Sequence, residues 1–264
     1  MSESSSRRVQ ASKRREKLVL LPGWALGPAP LAPLAAAIER RADWIEVECV
    51  HYPPLQSQRL DVWQAALDEA IESDVWLGGW SLGGMLAASL ALARGERARG
   101  LLTLGSNACF LARPDWSAAL ARPAFEALRT ELQQSPAGLL ARLVHHADRS
   151  SHDVRRLLLP LARALGRTPP GQSAAGLALL QALDLRQTLP ALAVPQLHLF
   201  GEQDLLVPAA ARRAIQALMP RSGTTQLLSD AGHDFPLERT EACAEAIVAF
   251  MTSAPTGVGG VEAP

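Results

Sequence analysis

Long hydrophobic runs are missing from this chain of 264 residues. No stretch is apolar for 18 or more residues, so no membrane-spanning helix is expected. The N-terminus lacks an apolar h-region, so no secretory signal is expected. Cysteine is scarce: Cys49, Cys109 and Cys243 are odd in number and share no metal-type spacing. They read as small buried apolar residues in a reducing compartment, and the expected location is cytoplasmic. An excess of one charge is also missing, since 26 basic residues meet 26 acidic ones. That balance argues against a nucleic-acid-binding or membrane-attracted protein. Lysine is nearly absent, with Lys13 and Lys17 alone, so almost all the positive charge is arginine. No carboxylates cluster in a metal-like pattern, and neither a metal nor another cofactor is expected.

What is present describes an ordinary globule, 48 % apolar and 20 % charged. The length suits one large α/β domain, or a domain carrying an inserted subdomain. Residues 1–16 are Ser-rich, then basic, and read as a solvated disordered tail; 253–264 read the same way. Between them, apolar strands alternate with amphipathic helices. Strands are expected at 17–21, 44–50, 75–77 and 100–105, with helices at 31–41, 60–72 and 82–93. This rhythm implies a mostly parallel, doubly wound sheet. It breaks over 107–183, where helical patterning interrupted by prolines suggests a helical lid inserted between two parts of a core, 17–106 and 184–252. Strands resume at 196–200 and 225–228, with helices at 209–218 and 241–251.

The most informative stretch is Gly79-Trp80-Ser81-Leu82-Gly83, a G-x-S-x-G nucleophile elbow between a strand and a helix. A serine held on so tight a turn carries backbone strain, and glycines on either side let strand and helix approach closely. The helix start offers free N–H groups, that of Leu82 among them, to a developing oxyanion. A serine hydroxyl needs a base to take its proton, and the base needs a third group to fix its tautomer. In a doubly wound sheet such groups gather at the carboxyl ends of strands. Asp204 follows the strand at 196–200, and His233 follows the last strand. The order Ser81, Asp204, His233 is that of the α/β-hydrolase fold. Glu202 is the alternative acid, His198 reads as a core residue, and His145, His146 and His152 lie in the insertion. The second oxyanion N–H is expected from Trp24, in the loop opened by Pro22-Gly23.

Several longer segments carry a resemblance. Leu20-Leu21-Pro22-Gly23-Trp24-Ala25-Leu26-Gly27, Gly79-Trp80-Ser81-Leu82-Gly83-Gly84 and Ala108-Cys109-Phe110-Leu111-Ala112-Arg113-Pro114-Asp115-Trp116 are three of them. Leu183-Asp184-Leu185-Arg186-Gln187-Thr188-Leu189, Phe200-Gly201-Glu202-Gln203-Asp204-Leu205-Leu206-Val207-Pro208 and Ala231-Gly232-His233-Asp234-Phe235-Pro236 are the others. Together, over about 17–250, the chain resembles the BioH family of pimeloyl-[acyl-carrier protein] methyl ester carboxylesterases of biotin synthesis. The elbow and the acid and histidine loops are common to the superfamily. The tryptophan inside the elbow and the Cys-Phe and Leu-Arg-Gln segments are narrower. One departure is Pro22-Gly23, where the superfamily usually has His-Gly.

The resemblance implies a monomeric serine carboxylesterase whose partner is an acyl-carrier protein bearing the ester. It implies substrate contacts from Trp24, Leu82 and a lid stretch that here reads Leu143, Val144, His145, His146 and Ala147. Residues 109–183 hold nine arginines against five acids, a net charge of +4, which suits an acidic carrier. Arg142, Arg155 and Arg156 are the expected docking residues. The same chemistry on short free acyl esters is the alternative reading.

Overall fold

The computed structural model describes residues 15–134, 169–219 and 223–254. Six strands form one sheet: β1 (Glu16–Leu21), β2 (Ile45–Cys49), β3 (Val75–Trp80), β4 (Ala98–Leu104), β5 (Gln196–Gly201) and β6 (Gly223–Leu228). Their order is β2-β1-β3-β4-β5-β6 and every pairing is parallel. Burial follows position in the sheet. β3 and β5 are buried along their whole length, as strands covered on both faces must be. The edge strands β2 and β6 alternate buried with exposed residues, the period of a half-covered strand.

Neighbouring residues of each strand point to opposite faces. Leu18 and Leu20 join one core with α1 (Ala32–Arg41) and α9 (Thr240–Ser253). Val19 and Leu21 join the other core with α2 (Leu60–Ala70), α3 (Leu82–Arg94) and α7 (Ala210–Leu218). Burying each such leucine fully is worth about 1.5–3 kcal/mol. α3 is buried at nearly every position, and its small residues, Gly83, Gly84, Ala87, Ala88 and Ala91, let it lie close to the sheet. Its far end is held by Arg94, whose buried guanidinium donates to the Asp68 carboxylate at 2.6 Å. The same group donates to the carbonyls of Glu72, Asp68 and Ile71, at the end of α2.

The elbow strand is longer than the apolar run 75–77, because Gly78 and Gly79 continue it. A Cβ on Gly78 would sit 2.8 Å from Leu20 Cδ2 and 3.1 Å from the Leu102 carbonyl. These glycines belong to the sheet and answer to crowding from both sides. Between β4 and β5 lie α4 (Arg122–Gln134), α5 (Pro170–Ala182) and α6 (Thr188–Ala191). Residues 107–121 form an irregular arm in place of the helical patterning expected there, with isolated bridges Cys109–Asp184, Leu111–Leu120 and Arg113–Trp116. Asn107 organises it: Oδ1 accepts from Ala108 N–H and the Trp116 indole, and Nδ2 donates to the Ala118 carbonyl. Such local bonds compete with helix formation. A short helix, α8 (Phe235–Glu238), precedes α9.

Candidate active site

β1, β3, β4, β5 and β6 run the same way, so Leu21, Trp80, Leu104, Gly201 and Leu228 end them on one side of the sheet. Ser81 stands there, between the last residue of β3 and the first of α3. Its φ of 55° and ψ of −118° lie where a non-glycine residue is strained by about 1–3 kcal/mol. Crowding leaves no wider turn. A Cβ on Gly79 would lie 2.3 Å from the Gly83 carbonyl carbon, and one on Gly83 2.3 Å from the Leu21 carbonyl oxygen. Hydrogen bonds hold the strained residue in place. Ser81 N–H donates to the Leu104 carbonyl at 2.8 Å. The Ser81 carbonyl accepts from Gly84 N–H, Met85 N–H and the Ser106 hydroxyl at 3.1, 3.3 and 2.8 Å. Ser81 is 8 % exposed.

His233 and Asp204 come from the loops after β6 and β5 and meet at 2.7 Å, Nδ1 to Oδ2. The other oxygen of Asp204 accepts from Leu206 and Val207 N–H, both at 2.8 Å. Both oxygens of this buried carboxylate are thereby engaged. With the proton on Nδ1 and pointed at Asp204, the His233 Nε2 keeps its lone pair. Burial works against the charged imidazole. The charge and hydrogen bond of Asp204, with Asp234 beyond, outweigh it and hold the His233 pKa above its ordinary value. Trp80, the residue before Ser81, donates its indole N–H to the His233 carbonyl at 3.0 Å. Gly105, at φ 55°, leaves room for the ring, since a Cβ there would lie 3.3 Å from Nδ1. Among the described residues no hydrogen bond joins the Ser81 hydroxyl to His233; such bonds are often long before substrate arrives.

The alternatives fall elsewhere. Glu202 accepts from Asp230 N–H at 3.1 Å and does not pair with the imidazole. His198 is buried in the sheet, its Nδ1 2.7 Å from the Thr103 hydroxyl, and burial pushes its pKa down to about 3. Among the described residues no group of three or more His, Cys, Asp or Glu could hold a metal ion. No described helix is long and apolar enough to cross a membrane.

Leu82 is the first residue of α3, where a backbone N–H has no acceptor within the helix. Trp24 lies in a tight turn closed by Leu26 N–H to the Gly23 carbonyl at 3.1 Å, with Ala25 at φ 56°. The Trp24 indole N–H donates to the Ser173 carbonyl of α5 at 2.7 Å. Gly176 of α5 packs against both residues: a Cβ there would be 2.7 Å from Trp24 Cδ1 and 3.3 Å from Leu82 Cδ2. A cavity of about 60 Å³ opens beside them, walled by Trp24, Leu82, Tyr52, Trp63 and Gln172 among others. Tyr52, Gln172 and Gly176 carry no local sequence signal for this place; only the position of the 51–54 loop after a strand points to Tyr52. Arg142, Leu143, Val144, His145, His146, Ala147, Arg155 and Arg156 lie outside the described residues.

Residues 18–246 match the model of the alpha/beta hydrolase family. The chain is 35 % identical over 248 residues to a pimeloyl-[acyl-carrier protein] methyl ester esterase of Xanthomonas oryzae pv. oryzae, covering 90 % of this chain and 96 % of that one. It is 32 % identical to proteins of the same name from Shewanella woodyi, over 87 % and 91 % of the two chains, and from Stenotrophomonas maltophilia, over 96 % and 99 %. Among solved structures, a bromoperoxidase from Bacillus anthracis superposes with a TM-score of 0.80 at 16 % identity, covering 90 % and 92 % of the two chains. An esterase from Exiguobacterium antarcticum also reaches a TM-score of 0.80, at 18 % identity and 92 % and 94 % coverage. The chain is thus an α/β hydrolase and belongs to the family of the pimeloyl-[acyl-carrier protein] methyl ester esterases.

Proposed function

We propose that this chain is a serine esterase that hydrolyses the methyl ester of a pimeloyl group carried on acyl-carrier protein, releasing methanol and the free carboxylate. The observation that carries the reading is the 2.7 Å bond between His233 and Asp204, beside a serine on a strained elbow, in a chain whose relatives bear that name. Ser81 attacks the ester carbonyl while His233 Nε2 takes its proton. Asp204 holds the imidazole in the one tautomer that can do so. The N–H groups of Trp24 and Leu82 receive the oxyanion. His233 then protonates the departing methoxide, and water cleaves the acyl-enzyme by the same route.

The reading makes 107–183 a lid and the carrier protein the docking partner, met by Arg142, Arg155 and Arg156. The net charge of +4 over 109–183 supports that docking, because opposite charges speed encounter and salt weakens them. The enzyme acts as a monomer in the cytoplasm and serves biotin synthesis. Ser81→Ala tests the chemistry: turnover of the carrier-bound methyl ester should fall by about 10⁴ or more, and fluorophosphonate labelling should vanish. A variant that keeps most of its activity overturns the proposal. Equal rates on carrier-bound and free methyl esters, unmoved by salt, would assign the same machinery to small esters.

A further inference from the structure

Tyr52 is the single tyrosine of the chain and has no part in the mechanism above. It stands in the loop after β2, half-buried, with its hydroxyl turned inward to donate to the Pro22 carbonyl at 2.5 Å. Its ring meets Trp63 edge-on, 5.4 Å between centroids. Trp63 is itself 1 % exposed and tied through its indole N–H to the Ser57 carbonyl. The aromatic pair therefore gives the hydroxyl a rigid base. Burial pushes the phenol pKa far above its ordinary value, so the hydroxyl keeps its proton and remains a donor.

The acceptor is the informative end of this bond. Pro22 has no N–H, and its ring fixes φ, leaving ψ as its one soft backbone torsion. Gly23 follows, the residue with the widest conformational freedom, and then Trp24. With nothing holding the Pro22 carbonyl, three loose torsions in series, Pro22 ψ and then Gly23 φ and ψ, would separate the end of β1 from the Trp24 N–H. An oxyanion donor contributes only when it is aimed in advance. The Tyr52 bond anchors the first peptide plane, and the bond from Leu26 N–H to the Gly23 carbonyl at 3.1 Å anchors the second. The second plane is the one that contains Trp24 N–H.

We propose that Tyr52 is a positioning residue of the oxyanion site: by holding the Pro22 carbonyl, its hydroxyl aims the Trp24 N–H at the developing negative charge. This rests on the serine-esterase reading and adds to it a residue that acts through the Pro22 carbonyl. The gain is made in the tetrahedral state, so turnover carries it and ground-state binding does not.

Tyr52→Phe removes the hydroxyl and keeps the ring. The expected result is kcat on a methyl ester lower by about tenfold with KM within about twofold, a fraction of the loss for an oxyanion donor itself. The inhibition constant of a boronic acid that forms a tetrahedral adduct on Ser81 should rise by the same factor. Tyr52→Leu, which also removes the ring, should show at least the same loss. Should either variant fail to fold, growth on 3-fluorotyrosine places one fluorine nucleus in the protein, at Tyr52. Its resonance should shift when the boronic acid binds and stay in place with the carboxylic acid product. A Tyr52→Phe protein with unchanged kcat and unchanged boronate affinity overturns the role, as does a fluorine signal indifferent to the adduct. A wild-type chain inert to both ester and boronic acid overturns the esterase reading instead.

Discussion

Replacing Asp204 with asparagine exchanges one carboxylate oxygen for an NH₂ group at almost no change in volume, and the structure dictates how the new side chain must sit. One oxygen of Asp204 accepts two backbone N–H groups, from Leu206 and Val207, and the other accepts from His233 Nδ1. Asparagine offers a single oxygen. If that oxygen stays with the two backbone donors, its NH₂ group faces His233. Nδ1 must then become an acceptor, and the imidazole proton moves to Nε2. In that tautomer the base cannot take the proton of Ser81. The opposite flip would aim NH₂ at two N–H donors inside the protein, which costs about 1–3 kcal/mol for each buried group left unpaired. The wrong-tautomer arrangement is therefore favoured, and kcat should fall by about 10⁴, or about 5 kcal/mol in the barrier. The pH profile supplies an internal check. On the proposed mechanism activity requires neutral His233, whose pKa is held high chiefly by Asp204 against burial. The wild-type rate should rise through an inflection above the ordinary histidine value, and the variant's residual rate should rise at lower pH. Steady-state hydrolysis of a chromogenic ester across pH, beside a thermal melt, reads both. An Asp204→Asn enzyme keeping more than about a tenth of its kcat, with Ser81 still required, would refute the assignment.

Gly83→Ala is expected to be severely destabilising, because the new Cβ would lie 2.3 and 2.5 Å from the carbonyl oxygens of Leu21 and Pro22. These are backbone atoms that cannot turn aside; a loss of several kcal/mol in urea unfolding, or an insoluble product, is the outcome. Asp234 gives a stability test with a defined sign. Burial, and then the charge of Glu238, push its pKa up to about 6, above the unfolded value of about 4. The folded chain therefore binds the extra proton, and that stabilisation, complete below the unfolded pKa, is lost as pH rises through about 6. Asp234→Asn should leave stability at pH 4 nearly unchanged and raise it at pH 8, by at most on the order of 3 kcal/mol. A variant equally shifted at both pH values would count against the charge argument.

Much of the candidate site is legible in residue types and order. Ser81 announces itself through flanking glycines, and Asp204 and His233 through their places after the last long strands. Type and spacing put Asp204 ahead of Glu202 as the candidate acid without excluding Glu202; in the structure the carboxylate paired with His233 is that of Asp204, held on its other oxygen by Leu206 and Val207 N–H. Side chains that hold backbone carbonyls were hidden for a plainer reason. Ser106 on the Ser81 carbonyl, Trp80 on the His233 carbonyl and Tyr52 on the Pro22 carbonyl each bind an atom that every residue carries. No pattern of residue types marks such an acceptor. The arm at 107–121 was equally opaque, since one asparagine satisfies backbone groups that an amphipathic pattern would assign to a helix.

Arg94 lies at the opposite end of α3 from Ser81, bonded to one carboxylate and three carbonyls at the end of the neighbouring helix. The helix between is almost wholly buried, so the rod is clamped at its tail while its tip carries the strain. A tip so mounted cannot relax by sliding, and loss of turnover on heating should therefore coincide with collapse of the whole core, leaving no range of temperature in which the folded protein is idle.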